Sequence, residues 1–203
     1  MAKQVIREPK QKRSMEKKQS ILKASYKLFC DKGYYKTNTA EIAQEAGVST
    51  GIVYSYFQDK KDILLEVVRF YIVSLSEQFQ PLLSAPINKN NLPAMIEQLI
   101  DISVASHTMN AEAHNEFLAL SLLEKDIPAL FNNFESTVLT KLYELLAAAG
   151  FSEVNLLQKV RLSYGIVEQV CHDTIQRKGS QDEFDITKSL AVHTIVTLLN
   201  DTI

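Results

Sequence analysis

The sequence predicts an all-α protein of about nine helices, and three observations carry that reading. Apolar residues recur at helical spacing along most of the chain. No stretch alternates apolar and polar residues as a half-buried strand does. Turn formers are scarce, with six glycines and five prolines in 203 residues, a poor composition for a sandwich or barrel. Hydrophobic residues make up 46%, an ordinary globular value, and the length suffices for one large domain or two small ones.

The elements follow in order. Residues 14–32 form an amphipathic helix, because Ile21, Ala24, Ser25, Leu28 and Phe29 share one face while lysines occupy the other. Gly33 ends it. In "TNTAEIAQEAG", Asn38 is placed to cap a second helix, with Glu41 three residues on completing a capping box. Ala40, Ile42, Ala43 and Ala46 give this short helix its apolar stripe, and Gly47 closes it. "STGIVYSYF" follows, opened by Ser49 and barely two turns long. From Lys60 a long helix carries Ile63, Leu64, Val67, Val68, Tyr71, Leu75, Phe79 and Leu82 until Pro81 and Pro86 interrupt. Further helices are expected over 92–107, 111–123, 128–149, 153–178 and 186–201. Asn90-Asn91, Asp126 before Pro128, Gly150 with Ser152, and Gly179-Ser180 mark the breaks.

A net charge of -2 conceals a strong asymmetry. Residues 1–61 hold 13 Lys and Arg against six acids, a net of +7, and the other 142 hold nine against 18, a net of -9. A basic end that meets a polyanion and an acidic body that does not would produce this; so would a basic tail without a partner. Cys30 and Cys171 read as buried thiols of a reduced compartment. The N-terminal stretch lacks the apolar core of a secretory signal, and no apolar run approaches the ~20 residues of a membrane span. A soluble, cytoplasmic protein without a membrane partner is expected. A Gly-rich phosphate loop, HExxH and GxSxG are absent from the sequence, so no catalytic residues and no cofactor are expected. His107, His114, His172 and His193 show no recognised ligand spacing, and no metal is expected.

Two short helices joined by a tight glycine turn, behind a basic amphipathic helix, make a helix-turn-helix pattern. The second helix of such a pair enters the major groove and the first crosses the backbone. Ala43 is small where the helices approach, Gly47 suits the turn, and Val48 and Val53 are placed to plug the core between them.

At these residues the chain resembles the TetR (tetracycline-repressor-like) family of transcription regulators. The resemblance runs from about residue 14 to 68 and rests on Gly33, a hydroxyl near 37–39, Ile42-Ala43, Gly47-Val48-Ser49, Gly51, Tyr54, Phe57, Lys60 and Leu64. It implies a flexible basic arm over 1–13, a DNA-binding head over 14–60, and an effector-binding and dimerisation domain over 61–203. Phe57 has no polar handle and is expected to pack inward. The resemblance puts Tyr54 near DNA, at a phosphate or a thymine methyl, and Tyr56 at a phosphate. Thr39, Ser49 and Lys60 would position the head on phosphates, since hydroxyls and amides at helix starts suit them. Base reading would fall to Thr50, Gly51 and Ile52 with Tyr54. Ser55 stands where relatives often carry a second tyrosine, and costs one phosphate contact. No Arg, Asn or Gln lies among residues 49–56, so thymine-methyl contact and DNA shape are expected to carry specificity.

For the remaining two-thirds the resemblance implies a small-molecule effector, a homodimer and a palindromic operator. Apolar or amphipathic effector contacts are expected from Phe79, Met95, Leu99, His107, Met109, Phe117, Leu120, Phe131, Phe134, Tyr143 and Tyr164. The dimer is expected across the last two helices, through Tyr164, Gly165, Val167, Glu168, Ala191, Thr194 and Leu198. Release by effector makes the protein a repressor. An activator, and a helical protein-binding adaptor with a basic end, remain as alternatives.

Overall fold

The computed structural model describes residues 12–109, 111–177 and 180–201. Among these are nine helices and no strand: α1 (Lys12–Lys32), α2 (Thr39–Glu45), α3 (Thr50–Tyr56), α4 (Lys60–Leu83), α5 (Leu92–Met109), α6 (Ala111–Leu123), α7 (Ile127–Ala148), α8 (Leu156–Arg177) and α9 (Gln181–Asn200). The all-α reading holds. Lys12 and Arg13, expected in the arm, start α1, and residues 1–11 of that arm lie outside the described residues.

Two boundaries differ from expectation for local reasons. Pro81 does not stop α4 but sits inside its last turn. Its missing N–H leaves one carbonyl without a helical donor, a small loss where the chain is solvent-exposed and the helix ends two residues later. α9 starts five residues earlier than expected, because Ser180 accepts from the Glu183 N–H and Glu183 reaches back to Ser180, a capping box. The polar first turn, Gln-Asp-Glu, carries no apolar periodicity and so hides the start.

The chain divides into two compact units. The first comprises residues up to Val73 together with Glu112–Phe131. Its core gathers Ile21, Leu28 and Phe29 of α1, Ile42 and Ala43 of α2, Val53 of α3, Phe57 just after α3, Ile63, Leu64 and Val67 at the start of α4, and Phe117 and Leu120 of α6, all buried. The short helices α2 and α3 bury only four side chains between them, so their stability comes from this shared core rather than from their own length.

The second unit comprises Ser74–Ala111 and Asn132–Ile203. Here α5, α8 and α9 pack on one another. Leu92, Ile96 and Ile100 of α5, Leu139 and Leu146 of α7, Val160, Val167 and Cys171 of α8, and Ala191, Ile195 and Leu199 of α9 form one buried cluster. Lys188 joins α9 to α5 through both carboxylate oxygens of Asp101, at 2.6 and 2.7 Å. Buried Lys159 donates to the Asp201 carbonyl at 2.6 Å, which gives its ammonium a partner inside the unit.

Candidate nucleic-acid interface

α2 is set by its ends. The Asn38 side chain accepts from the backbone N–H of Ala40 and Glu41, both at 3.0 Å, and the Glu41 carboxylate accepts from the Asn38 N–H at 3.2 Å. At the other end Gly47 takes φ +66°, and its N–H reaches the Gln44 carbonyl while Val48 reaches Ala43. These two bonds form a Schellman close, and the left-handed backbone is what requires glycine at 47. The chain is thereby turned at once into α3. Ser49 occupies the capping position of α3 with extended backbone, but its hydroxyl does not cap the helix.

The aromatic residues of α3 divide between two roles. Phe57 is buried, as its apolar ring predicts, and Lys18 lies 5.5 Å above it. Tyr56 is also buried, at 6% exposure, and its hydroxyl bonds the Ser14 hydroxyl of α1 at 2.7 Å. The residue expected at a phosphate therefore packs into the head and ties α3 to the start of α1. Tyr54 stays half-exposed, with its hydroxyl 2.9 Å from that of Thr39. The first residue of α2 and the middle of α3 thus meet on one polar edge. Ser49 and Gly51 are exposed, and Thr50, Ile52 and Ser55 half-exposed, along the same short helix. The Ser55 hydroxyl donates to the Ile52 carbonyl at 2.7 Å.

Lys60 has a role that sequence reasoning missed. Its ammonium donates to the carbonyls of Tyr34 and Thr37, each at 2.9 Å, and sits 4.3 Å from the centre of the Tyr34 ring. It pins the α1–α2 loop to the start of α4. The same loop is held from α6. Gly33 takes φ +87°, which frees the next amide to donate from Tyr34 to the Glu116 carboxylate at 2.6 Å. The Tyr35 hydroxyl donates to Glu124 at 3.0 Å, and Lys61 pairs with Asp126 at 2.7 Å and with Glu124 at 3.4 Å. Those acids raise the affinity of Lys61 for its proton, Asp126 first. Separations of 82 and 89 residues leave no local signal for these contacts.

The electrostatics of the head are local. Lys32 lowers the pKa of Glu41, helped by the Asn38 amide, and Glu45 raises that of Lys27. These two pairs tie α1 to α2 at 3.1 and 2.6 Å. On the packed side of α1, burial first and then the charges of Asp31 and Glu112 push the Cys30 thiol up to about 11.

The other expected sites fare unevenly. Phe117 and Leu120 are buried in the first unit, where Phe117 meets Tyr71 and Tyr26 at 5.2 and 6.2 Å between ring centres. They fill that core rather than a ligand cavity. Phe131 also belongs to the first unit. Leu99, Tyr143 and Tyr164 pack on the core of the second, Phe79, Met95 and Phe134 are half-exposed there, and the Met109 side chain lies outside the described residues. Burial, followed by the charges of Glu168 and Glu135, raises the Tyr164 pKa. A hollow of about 540 Å³ runs along α7, lined by Asn133, Ser136, Thr137, Thr140, Lys141 and Glu144, and none of the expected effector residues lines it. Of the expected dimer residues, Val167 and Ala191 are buried in their own chain's core. Gly165 and Thr194 are exposed, and Tyr164, Glu168 and Leu198 half-buried. The exposed apolar side chains of the last two helices are instead Leu157, Leu162, Ile186 and Leu190. No helix of the described residues is long and apolar enough to cross a membrane.

Residues 21–67 match the family described as "Bacterial regulatory proteins, tetR family". The HTH-type transcriptional regulator HbdR of Aromatoleum sp. (strain CIB) is 53% identical over 49 residues, 24% of this chain and 21% of that protein. An uncharacterized HTH-type transcriptional regulator of Bacillus subtilis, YerO, is 31% identical over 113 residues, 56% of this chain and 37% of that one. The matched stretches thus span well under half of these relatives. A crystal structure of a candidate TetR-family regulator from Mesorhizobium loti superposes with a TM-score of 0.72 at 19% identity, covering 93% of this chain and 98% of that one. A candidate regulator of Saccharomonospora viridis, solved in complex with choline, gives 0.68 at 16% identity over 89% and 96%. At those identities the likeness concerns the fold alone. The matches over the head concern sequence, and with the helix-turn-helix geometry they show that residues 21–67 are similar to the DNA-binding head of tetR-family transcriptional regulators.

Proposed function

We propose that the protein is a homodimeric, cytoplasmic repressor that binds a palindromic operator and leaves it when a small apolar or amphipathic effector binds the second unit. The observation that carries the DNA half is the polar edge of α2 and α3. Thr39 and Tyr54 present paired hydroxyls there, Ser49 spends none of its hydroxyl on capping, and Gly51 keeps the backbone bare. Thr39, Ser49, Tyr54 and Lys60 position the head on phosphates, and Thr50, Gly51 and Ile52 face the base edges. Tyr56 supports them from behind, through Ser14.

The division of labour is a DNA-binding head over 14–60 and an effector and dimer region over 61–203. Leu162, Ile186 and Leu190, each more than 60% exposed, give α8 and α9 an apolar surface that a second copy would cover. α4 runs without a glycine from the head into the second unit, so a ligand bound beside its far end can tilt the head. DNA fixes the spacing of two heads at ~34 Å, and a tilt therefore opposes binding. The choline bound by the S. viridis protein, a small organic cation, supports a small molecule as the effector class.

The test is anisotropy of labelled palindromic fragments from the gene's own promoter, with sedimentation of the free protein. A dimer that binds one fragment with steep salt dependence is expected. A monomer, or affinity equal for palindromic and scrambled DNA, would overturn the reading.

A further inference from the structure

We propose that His107, Glu168 and His172 of the second unit form a binding site for a divalent transition-metal cation of the zinc class. Sequence spacing pointed away from a metal because the two histidines lie 65 positions apart, on α5 and α8. The packing of α5 on α8 removes that separation. Glu168 and His172 stand one helical turn apart on α8 and so share a face. The Glu168 Oε2 lies 3.6 Å from Nε2 of His107 and 3.9 Å from Nε2 of His172. The ligand nitrogens of the two histidines lie within 4.8 Å of one another.

Four ligands at ~2.0–2.1 Å from a tetrahedral zinc stand about 3.4 Å apart. The two edges to Glu168 are within half an ångström of that, and the histidine–histidine edge, within 4.8 Å, closes by up to about 1.4 Å when the ion binds. The second neighbour shell is already in place. Nδ1 of His107 lies 2.8 Å from the Ser103 carbonyl, which can only accept, so Nδ1 carries the proton. Burial opposes a charge on His107, but the Cys171 and Glu168 side chains outweigh it and favour a second proton, on Nε2, which a bound metal ion would displace. His107 is mostly buried, with a side chain 13% exposed, whereas Glu168 and His172 are about one-third exposed and leave an approach. Two imidazoles and one carboxylate select zinc, cobalt, nickel or copper over magnesium or calcium. The inference is independent of the operator and of the effector proposed above.

The experiment uses the full chain with any affinity tag removed, titrated with Co2+ and followed by visible absorption, then with Zn2+ by calorimetry. One ion per chain is expected, with the strong visible bands of four-coordinate cobalt, bleached by added Zn2+. Loss of an outer-shell partner typically weakens metal binding ~10–100-fold, so Glu168→Gln and His172→Gln should each weaken it at least about tenfold. His193→Gln, at an exposed histidine of α9, should leave it unchanged. Circular dichroism monitors folding, and His172→Gln, at the more exposed histidine, keeps the test valid if Glu168→Gln misfolds. Absence of stoichiometric binding, six-coordinate spectra, or equal affinity in wild type and His172→Gln would overturn the proposal, the last by placing the metal elsewhere.

Discussion

Replacing Lys60 with methionine separates two roles for one side chain. The substitution keeps the apolar stem and removes only the ammonium. In the structure that ammonium makes two charge-assisted hydrogen bonds of 2.9 Å, to the carbonyls of Tyr34 and Thr37, and lies 4.3 Å from the Tyr34 ring centre. Hydrogen bonds to a charged group contribute ~1.5–3 kcal/mol each, and a cation over an aromatic ring ~0.5–1 kcal/mol at a partly exposed site. These terms overlap, and water can reach part of the half-exposed site, so a loss of about 2–4 kcal/mol is expected. For a chain of this size each kcal/mol moves Tm by ~2–4 °C, which makes the shift roughly 5–15 °C. The assay is urea denaturation followed by helical circular dichroism, with operator affinity measured well below the midpoint. Stability should fall, and affinity for cognate and scrambled DNA should fall together. Unchanged stability with lost DNA binding would refute the reasoning. It would mean that Lys60 works only at a phosphate and that its two carbonyl bonds contribute nothing net.

Two further outcomes are expected. Gly51→Ala meets no heavy atom closer than the Ser49 hydroxyl at 4.0 Å and needs no left-handed backbone, so folding stability should hold or rise by up to ~1 kcal/mol. Operator affinity should drop nonetheless if the bare backbone approaches the bases, and a variant with wild-type affinity for its operator would remove Gly51 from the interface. Cys30, held up to about 11 by burial and neighbouring acids, is almost wholly a thiol at pH 8. Against an ordinary cysteine of pKa ~8.5, its alkylation by iodoacetamide should be roughly two orders of magnitude slower in the native protein. The rate should rise with pH towards 11 and recover in urea; rapid native modification of the Cys30 peptide, read by mass spectrometry, would contradict the burial argument.

The readings that held were those whose causes are local. Helical periodicity, the Asn38 capping box and the Gly47 close depend on residues within five positions of one another, so the order of atoms along the chain suffices to specify them. The same is true of Phe57, which has no polar atom to keep it at a surface. The start of α9 was equally local, in Ser180 and Glu183, but its signal was polar and periodicity passed over it. Other features were settled only when helices packed. Tyr54 and Tyr56 are identical side chains two positions apart, and a turn of about 200° between them sends one towards Thr39 and the other into the core against Ser14. α8 and α9 are apolar over broad faces, and only packing shows that Val167 and Ala191 face their own core while Leu162 and Leu190 face out. Lys60 and the clamps from Glu116 and Glu124 depend on carbonyls and amides of a loop, groups every residue possesses and no pattern can single out. His107 and Glu168 are likewise brought together by α5 packing on α8, across a stretch of chain whose length carries no information about where its ends meet.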